Sequence, residues 1–112
     1  METLREMIAK RQNEIIDGDL APSRAVEILT ELSSLYGNAL DEVKNRQVEY
    51  NKVLLKVYEE EEKANRAKLV AETTDEFEAL LSAKVTEKLI LEMIRGLKYF
   101  LREKEAEFKE AT

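Results

Sequence analysis

The feature that most constrains this chain is the scarcity of residues that interrupt helices, since its 112 residues include one proline and three glycines. Proline and glycine are the residues that most often end or distort regular structure. Between them, apolar residues recur at intervals of three and four, which places their side chains on one face of a helix. The sequence therefore predicts an all-α protein with few, long helices.

Composition supports the same fold class. Apolar residues make up 44% of the chain and charged residues 38%, a balance typical of helical bundles and coiled coils whose exposed faces are charged. A chain of this length suits one ordinary domain. We expect a single helical domain over residues 1–112.

Two short helices are predicted at the N-terminus. The first covers about residues 3–16 and ends at Asp17-Gly18-Asp19, where Gly18 can take the left-handed conformation that closes a helix. The second covers about residues 22–36, because Pro22 suits a first turn and Gly37-Asn38 indicates a stop followed by a new N-cap. A helix that continues through Gly37 is the alternative.

Two long helices are predicted to follow. The first covers about residues 38–72, and the second covers about residues 75–110 after a capping box at Thr73-Thr74-Asp75-Glu76, in which Thr73 is the cap. The first of these helices carries the following residues at heptad positions a and d: Leu40, Val43, Gln47, Tyr50, Leu54, Val57, Glu61 and Ala64.

The connection between the long helices determines how they pack. A turn of two or three residues near Thr73 leaves the chain no route except back along itself. We therefore predict a long antiparallel helical hairpin, with the two shorter N-terminal helices packed along it in a bundle or coiled-coil-like arrangement.

The residue types leave little material for catalysis. The chain has no cysteine and no histidine, which excludes a disulfide framework, a thiolate metal site and histidine as a metal ligand or general base. No apolar run exceeds three residues, as in Leu89-Ile90-Leu91, whereas a membrane span needs about 20. We predict a cytoplasmic, non-enzymatic protein with no cofactor, no metal and no membrane contact.

The charge distribution argues against a nucleic-acid partner. The net charge is −6, and acidic and basic residues interleave along the whole length. A nucleic-acid footprint is instead a basic patch or stripe. Tyr36 and Tyr50 lie on apolar stripes and are predicted to be core residues, not platforms for stacked bases.

One acidic pattern resembles that of a known enzyme class. Glu59-x-x-Glu62 and Glu72-x-x-Asp75 are similar to the paired motifs of the all-α nucleotide pyrophosphohydrolases, in which carboxylates from two helices hold Mg²⁺. Those enzymes place the two motifs on facing helices, whereas here only nine residues separate Glu62 from Glu72, on one predicted helix. A Mg²⁺-dependent pyrophosphohydrolase-like enzyme remains an alternative that requires the four carboxylates to converge.

The C-terminal part of the chain suggests another alternative. Tyr99 and Glu103 match the Tyr-x-x-x-acidic ending of small helical hairpin proteins that specialised bacterial secretion systems export. The Trp-x-Gly turn of those proteins is missing from this sequence.

A further resemblance covers about the second half of the chain. The segments that carry it are Lys63-Ala64-Asn65-Arg66-Ala67-Lys68, Ala83-Lys84 and Glu87-Lys88-Leu89-Ile90-Leu91-Glu92-Met93-Ile94-Arg95-Gly96-Leu97-Lys98. This pattern resembles small helical proteins encoded in bacteriophage and prophage genomes. The resemblance implies a phage-encoded accessory protein in a bacterial cytoplasm and transfers no catalytic residue. By analogy with other small phage proteins, a nucleic-acid-associated replication or recombination factor is an alternative.

The last predicted helix is apolar around most of its circumference between residues 89 and 101. A helix with one buried face shows a single stripe. Leu91 and Tyr99 point away from the predicted seam of Ile90, Ile94, Leu97 and Leu101, and would be exposed in a monomer. We therefore predict a homo-oligomer, most simply a dimer, or an unknown protein partner, with these interface residues: Leu91, Tyr99, Phe100 and Tyr58.

Overall fold

The structure is a computed structural model that describes residues 3–111. It contains four α-helices: α1 (Leu4–Ile16), α2 (Pro22–Glu60), α3 (Ala64–Ala71) and α4 (Asp75–Ala111). No β-strand occurs within this range. The prediction of an all-α fold is confirmed.

The chain divides into two compact units, and each takes part of both long helices. Within the described residues, unit 1 comprises the chain up to Gly37 and from Lys88 onward, and unit 2 comprises Asn38–Glu87. Unit 1 therefore contains the first part of α2 and the second part of α4. Unit 2 contains the second part of α2 and the first part of α4. This is the pairing of an antiparallel hairpin, which confirms that prediction. The chain divides into two units, yet both long helices run through both of them. The single domain over residues 1–112 therefore stays a prediction.

The start and end of α1 follow from local backbone chemistry. The Thr3 side chain accepts a hydrogen bond from the Glu6 amide at 3.1 Å, which satisfies one donor of the first turn. After Ile16, Gly18 has φ +88° and Asp19 has φ +33°, so the chain leaves the helix through the left-handed region. Pro22 then begins α2, as its fixed φ and missing N–H favour.

Unit 1 buries the apolar stripes that the sequence predicts for its three helical segments. Fully burying one large aliphatic side chain stabilises the fold by about 1.5–3 kcal/mol. The buried residues of this core are Ile8 on α1, Ala25, Ile28 and Leu32 on α2, and Ile90, Ile94 and Leu97 on α4.

A network of ion pairs joins α1 to α2 at the rim of this core. Arg24 donates to both carboxylate oxygens of Glu14, at 2.5 Å from Nε and 3.1 Å from Nη2. Arg11 donates to Glu31 at 2.5 Å and to Glu14 at 3.3 Å. Two-point contacts between a guanidinium and a carboxylate fix geometry better than single surface pairs do.

The prediction that a helix ends at Gly37 is wrong, because α2 runs through it. The four positions Leu32, Tyr36, Ala39 and Val43 keep the spacing of four, three and four across the glycine, and all are buried or half-buried. An exposed glycine inside a helix costs only about 1 kcal/mol. The continuous apolar seam outweighs that cost, so Asn38 does not act as a new N-cap.

The prediction of one helix over residues 38–72 is also wrong, because α2 ends at Glu60 and α3 begins at Ala64. The four consecutive glutamates Glu59–Glu62 fall at this end, and the last turn of α2 has no basic residue. Negative charges are unfavourable beside the negative end of a helix dipole and beside one another. The apolar stripe also stops here, so packing does not offset this cost.

The turn before α4 lies where the sequence places it, but the cap is one residue later. The Thr74 hydroxyl accepts from the Phe77 amide at 3.4 Å, while the Thr73 hydroxyl donates to the Val70 carbonyl at 2.7 Å. Thr74 therefore caps α4, and Thr73 satisfies a carbonyl at the end of α3.

Unit 2 has a core of mostly small side chains. Tyr50, Ala71 and Leu80 form its buried centre, with Phe77 packed against them. Ala67 and Ala71, four residues apart, are fully buried and let α3 approach its neighbours closely. The predicted heptad residues Val43, Leu54 and Val57 are half-buried in this unit, whereas Leu40 and Ala64 are exposed.

Candidate interaction surface

Unit 2 exposes more large apolar side chains than it buries. Two large apolar residues, Tyr50 and Leu80, are buried in it, against eight that are exposed. The exposed set is Leu40, Val48, Leu55 and Tyr58 on α2, Leu69 and Val70 on α3, and Leu81 and Val85 on α4. Exposed apolar residues mark binding surfaces in soluble proteins when they form a patch.

The positions of these residues on their helices show that they form outward faces. Val48 and Leu55 are seven residues apart, which places them on the same face of α2. Leu81 and Val85 are four residues apart on α4, and Val85 is 60% exposed. We call these eight residues the unit 2 apolar surface.

Leu81 and Val85 are exposed apolar positions of α4 that the sequence prediction did not single out. Seven buried or half-buried residues of α4 follow a heptad pattern: Leu80, Ala83, Glu87, Ile90, Ile94, Leu97 and Leu101. Extending the strong seam of residues 90–101 backward by heptads would have excluded Leu81 and Val85 from the core. The heptad pattern was therefore present in the sequence. It was hard to recognise because the small residue Ala83 occupies one of its positions.

The four predicted interface residues have different environments. Tyr99 is 65% exposed, as predicted. Tyr58 is 42% exposed, and Phe100 is half-buried. Tyr58 belongs to unit 2, and Tyr99 and Phe100 belong to unit 1. Whether any of them contacts a partner stays a prediction.

The expectation that Leu91 is left exposed is wrong, because its side chain is half-buried. Leu91 lies four residues after the half-buried Glu87 and three before the buried Ile94. The buried face of α4 is therefore wide enough to include Leu91, which lies at the edge of that face. Leu91 is a poor position at which to test an interface.

Tyr99 and Phe100 each contact a charged side chain one turn further along α4. The Tyr99 hydroxyl donates a hydrogen bond to Glu103, and this bond with the nearby negative charge raises the pKa of Tyr99. The Lys104 ammonium lies over the Phe100 ring at 5.7 Å from its centroid, a cation–π contact. Both contacts are local to the helix surface.

A cavity of about 330 Å³ opens in unit 1 between the end of α1, the loop after it and α4. Ile15, Leu20 and Phe100 form part of its apolar wall. Gly96 also lines it, and a methyl group added there would meet no other atom within 4 Å. Asp19 is the one charged residue of the lining.

The acidic residues of the enzyme alternative are not brought together. Glu59 lies on α2, Glu62 and Glu72 flank α3, and Asp75 begins α4. Within residues 3–111, no three or more carboxylates form a group that could hold a metal ion. The convergence that the pyrophosphohydrolase resemblance requires is absent from this part of the chain.

The predicted core tyrosines are confirmed, since Tyr50 is buried and Tyr36 is half-buried.

Among the described helices, none combines the length and the apolar content needed to cross a bilayer.

Comparison with known proteins adds no relative against which these surfaces could be interpreted. No protein-family model, no curated protein and no solved structure matches the chain.

Proposed function

We propose that this chain is a non-enzymatic helical interaction protein that assembles through the unit 2 apolar surface, with a second copy of itself as the partner. The proposal also places it in the cytoplasm, in keeping with the absence of cysteine. The resemblance to phage-encoded helical proteins supports an accessory role in a bacterial host.

The observation that carries the proposal is the ratio of exposed to buried apolar residues in unit 2. An exposed Leu or Val is ordinary when it is isolated. Unit 2 has eight exposed large apolar residues among its fifty, and only two large apolar residues, Tyr50 and Leu80, are buried in it. Covering such side chains contributes about 25 cal/mol for each Å² of apolar surface removed from water.

A second copy is the occupant that we favour because closed two-fold dimers are the commonest assemblies of soluble proteins. Helix pairing through outward faces such as that of Val48 and Leu55 produces a bundle, the arrangement typical of amphipathic helices. The long charged side chains near these residues, among them Lys52 and Lys84, can flank a helix interface without being buried.

The test is the mass of the purified full chain in solution, measured by light scattering coupled to size exclusion at tens of micromolar. We expect twice the chain mass of 13.0 kDa. Val85→Glu and Leu55→Glu should shift the mass toward the monomer, while circular dichroism shows helicity retained.

Val26→Glu is the matched control. Val26 is 51% exposed on α2 and belongs to unit 1, so its substitution should leave the dimer intact. A mass of one chain for the native protein would overturn self-assembly. A dimer that survives both unit 2 substitutions would overturn the proposed surface.

A further inference from the structure

The cavity of unit 1 has the composition of a small-molecule site. Its volume of about 330 Å³ lies at the lower end of the range for ligand pockets, roughly 300–1,000 Å³. Such pockets combine apolar walls with a few placed polar groups. Here the side chains of Ile15, Leu20, Met93 and Phe100 supply the apolar wall.

Asp19 supplies the charge. Among the described residues, no hydrogen bond or ion pair involves its carboxylate, and no other charged residue lines the cavity. Its backbone lies in the left-handed region at φ +33°, which aspartate tolerates better than most residues. The loop therefore places an exposed carboxylate, with no ion-pair partner among the described residues, at the edge of an apolar space.

Gly96 leaves the cavity open on the α4 side. An α-helix loses about 1 kcal/mol when glycine replaces alanine. No packing constraint requires glycine here, because an added Cβ would meet nothing within 4 Å. Because Gly96 lines the cavity, a larger side chain at this position would occupy part of it.

We propose that this cavity binds a small organic cation, with an apolar body against the α4 wall and an amine at Asp19. The chemistry of the lining selects this class. Asp19 is exposed, so a bound amine gains the modest attraction of a surface ion pair, which a neutral compound lacks. An anion would be repelled by the same carboxylate. The site belongs to unit 1 and is independent of the proposed assembly through unit 2.

Three probes of matched size test the proposal: phenylbutylamine, phenylbutanol and phenylbutyrate. Each is titrated into the isotopically labelled full chain and followed by proton–nitrogen correlation NMR. We expect the amine to shift the amide signals of residues 15–20 and 93–100. We expect the amine to bind about fivefold more tightly than the alcohol, and the carboxylate to bind most weakly.

Two substitutions separate the apolar and the charged parts of the site. Gly96→Leu should fill the cavity and remove binding of all three probes, while Gly37→Leu should not. Gly37 is the matched control because it is also an exposed helical glycine with open space around it, and it does not line the cavity. Asp19→Asn should retain the left-handed backbone and bind amine and alcohol equally.

Four results would overturn the proposal. These are no saturable binding of the amine, equal affinity for amine and carboxylate, an amine preference that survives Asp19→Asn, and binding that survives Gly96→Leu in a protein of unchanged helicity. If Gly96→Leu lowers helicity, the test is the comparison of amine and alcohol affinity in the Asp19→Asn variant.

Discussion

The rings of Tyr50 and Phe77 pack against each other in unit 2, with their centroids 5.1 Å apart and their planes inclined by 41°. Tyr50 lies on α2 and Phe77 in the first turn of α4, so this pair joins the two long helices. A tilted pair at this separation is a favoured aromatic geometry. Burial raises the pKa of the Tyr50 hydroxyl, and the nearby Glu72 adds to the effect.

This pair predicts that unit 2 depends on one large side chain. Tyr50→Ala should lower the free energy of unfolding by about 3 kcal/mol, the cost of removing a buried aromatic ring. The control is Tyr58→Ala, at a position 42% exposed in the same unit, where we expect less than about 1 kcal/mol. Urea unfolding followed by circular dichroism measures both. Similar losses for the two variants would show that the ring contact with Phe77 has no special weight.

Two glycines should respond oppositely to alanine. Gly37 is exposed inside α2 and an added Cβ would meet no atom within 4 Å, so Gly37→Ala should stabilise the chain by about 0.5–1 kcal/mol. Gly18 has φ +88°, and Gly18→Ala should cost about 1–2 kcal/mol because a Cβ clashes with the backbone there. Thermal unfolding of both variants checks the signs. A destabilising Gly37→Ala would contradict a continuous α2.

The end of α2 should be sensitive to the sign of its charge. Glu60→Lys places a cation at the helix C-terminus and relieves repulsion within Glu59–Glu62, which should stabilise by about 0.5 kcal/mol. Glu76→Lys makes the same change of charge in the first turn of α4 and should destabilise by a similar amount, about 0.5 kcal/mol. Chemical unfolding at low salt measures the pair. If both variants shift stability in the same direction, net charge and not helix position is responsible.

The ion pair between Arg24 and Glu14 predicts a dependence on acid. The hydrogen bond from the Arg24 guanidinium lowers the pKa of the Glu14 carboxyl below its ordinary value of 4.5. As the pH falls, Glu14 takes up a proton in the unfolded chain before it does so in the folded chain. The stabilisation by Glu14 is therefore fully present above pH 4.5 and is lost as the pH falls through the lower pKa of the folded state. The difference in unfolding free energy between the native chain and Glu14→Gln should therefore shrink on acidification.

The Arg24 partner provides the control for that experiment. With Arg24→Gln in both chains, the effect of Glu14→Gln should be smaller at neutral pH, because only Arg11 remains to pair with the carboxylate. An effect of equal size in both backgrounds would assign the acid dependence to other carboxylates.

The candidate surfaces show which part of site prediction is possible from sequence. The exposure of Tyr99 and the burial of Tyr50 follow from their positions relative to the heptad seam and were predicted correctly. The half-burial of Leu91 was not predicted, because the width of the buried face of a helix depends on how closely the neighbouring helices approach. The cavity at Gly96 could not be predicted either, since it needs the α1–α2 loop to lie against α4.

The sequence by itself determined the helical class, the left-handed stop at Gly18, the start of α2 at Pro22 and the turn near Thr73, because dihedral limits and caps act within a few residues. Tertiary structure decided that α2 passes through Gly37 and that Leu91 on α4 is half-buried. Local preferences at such positions differ by about 1 kcal/mol. Burial against another helix is worth about 1.5–3 kcal/mol for each large side chain, so contacts between helices outweigh local signals wherever the two conflict.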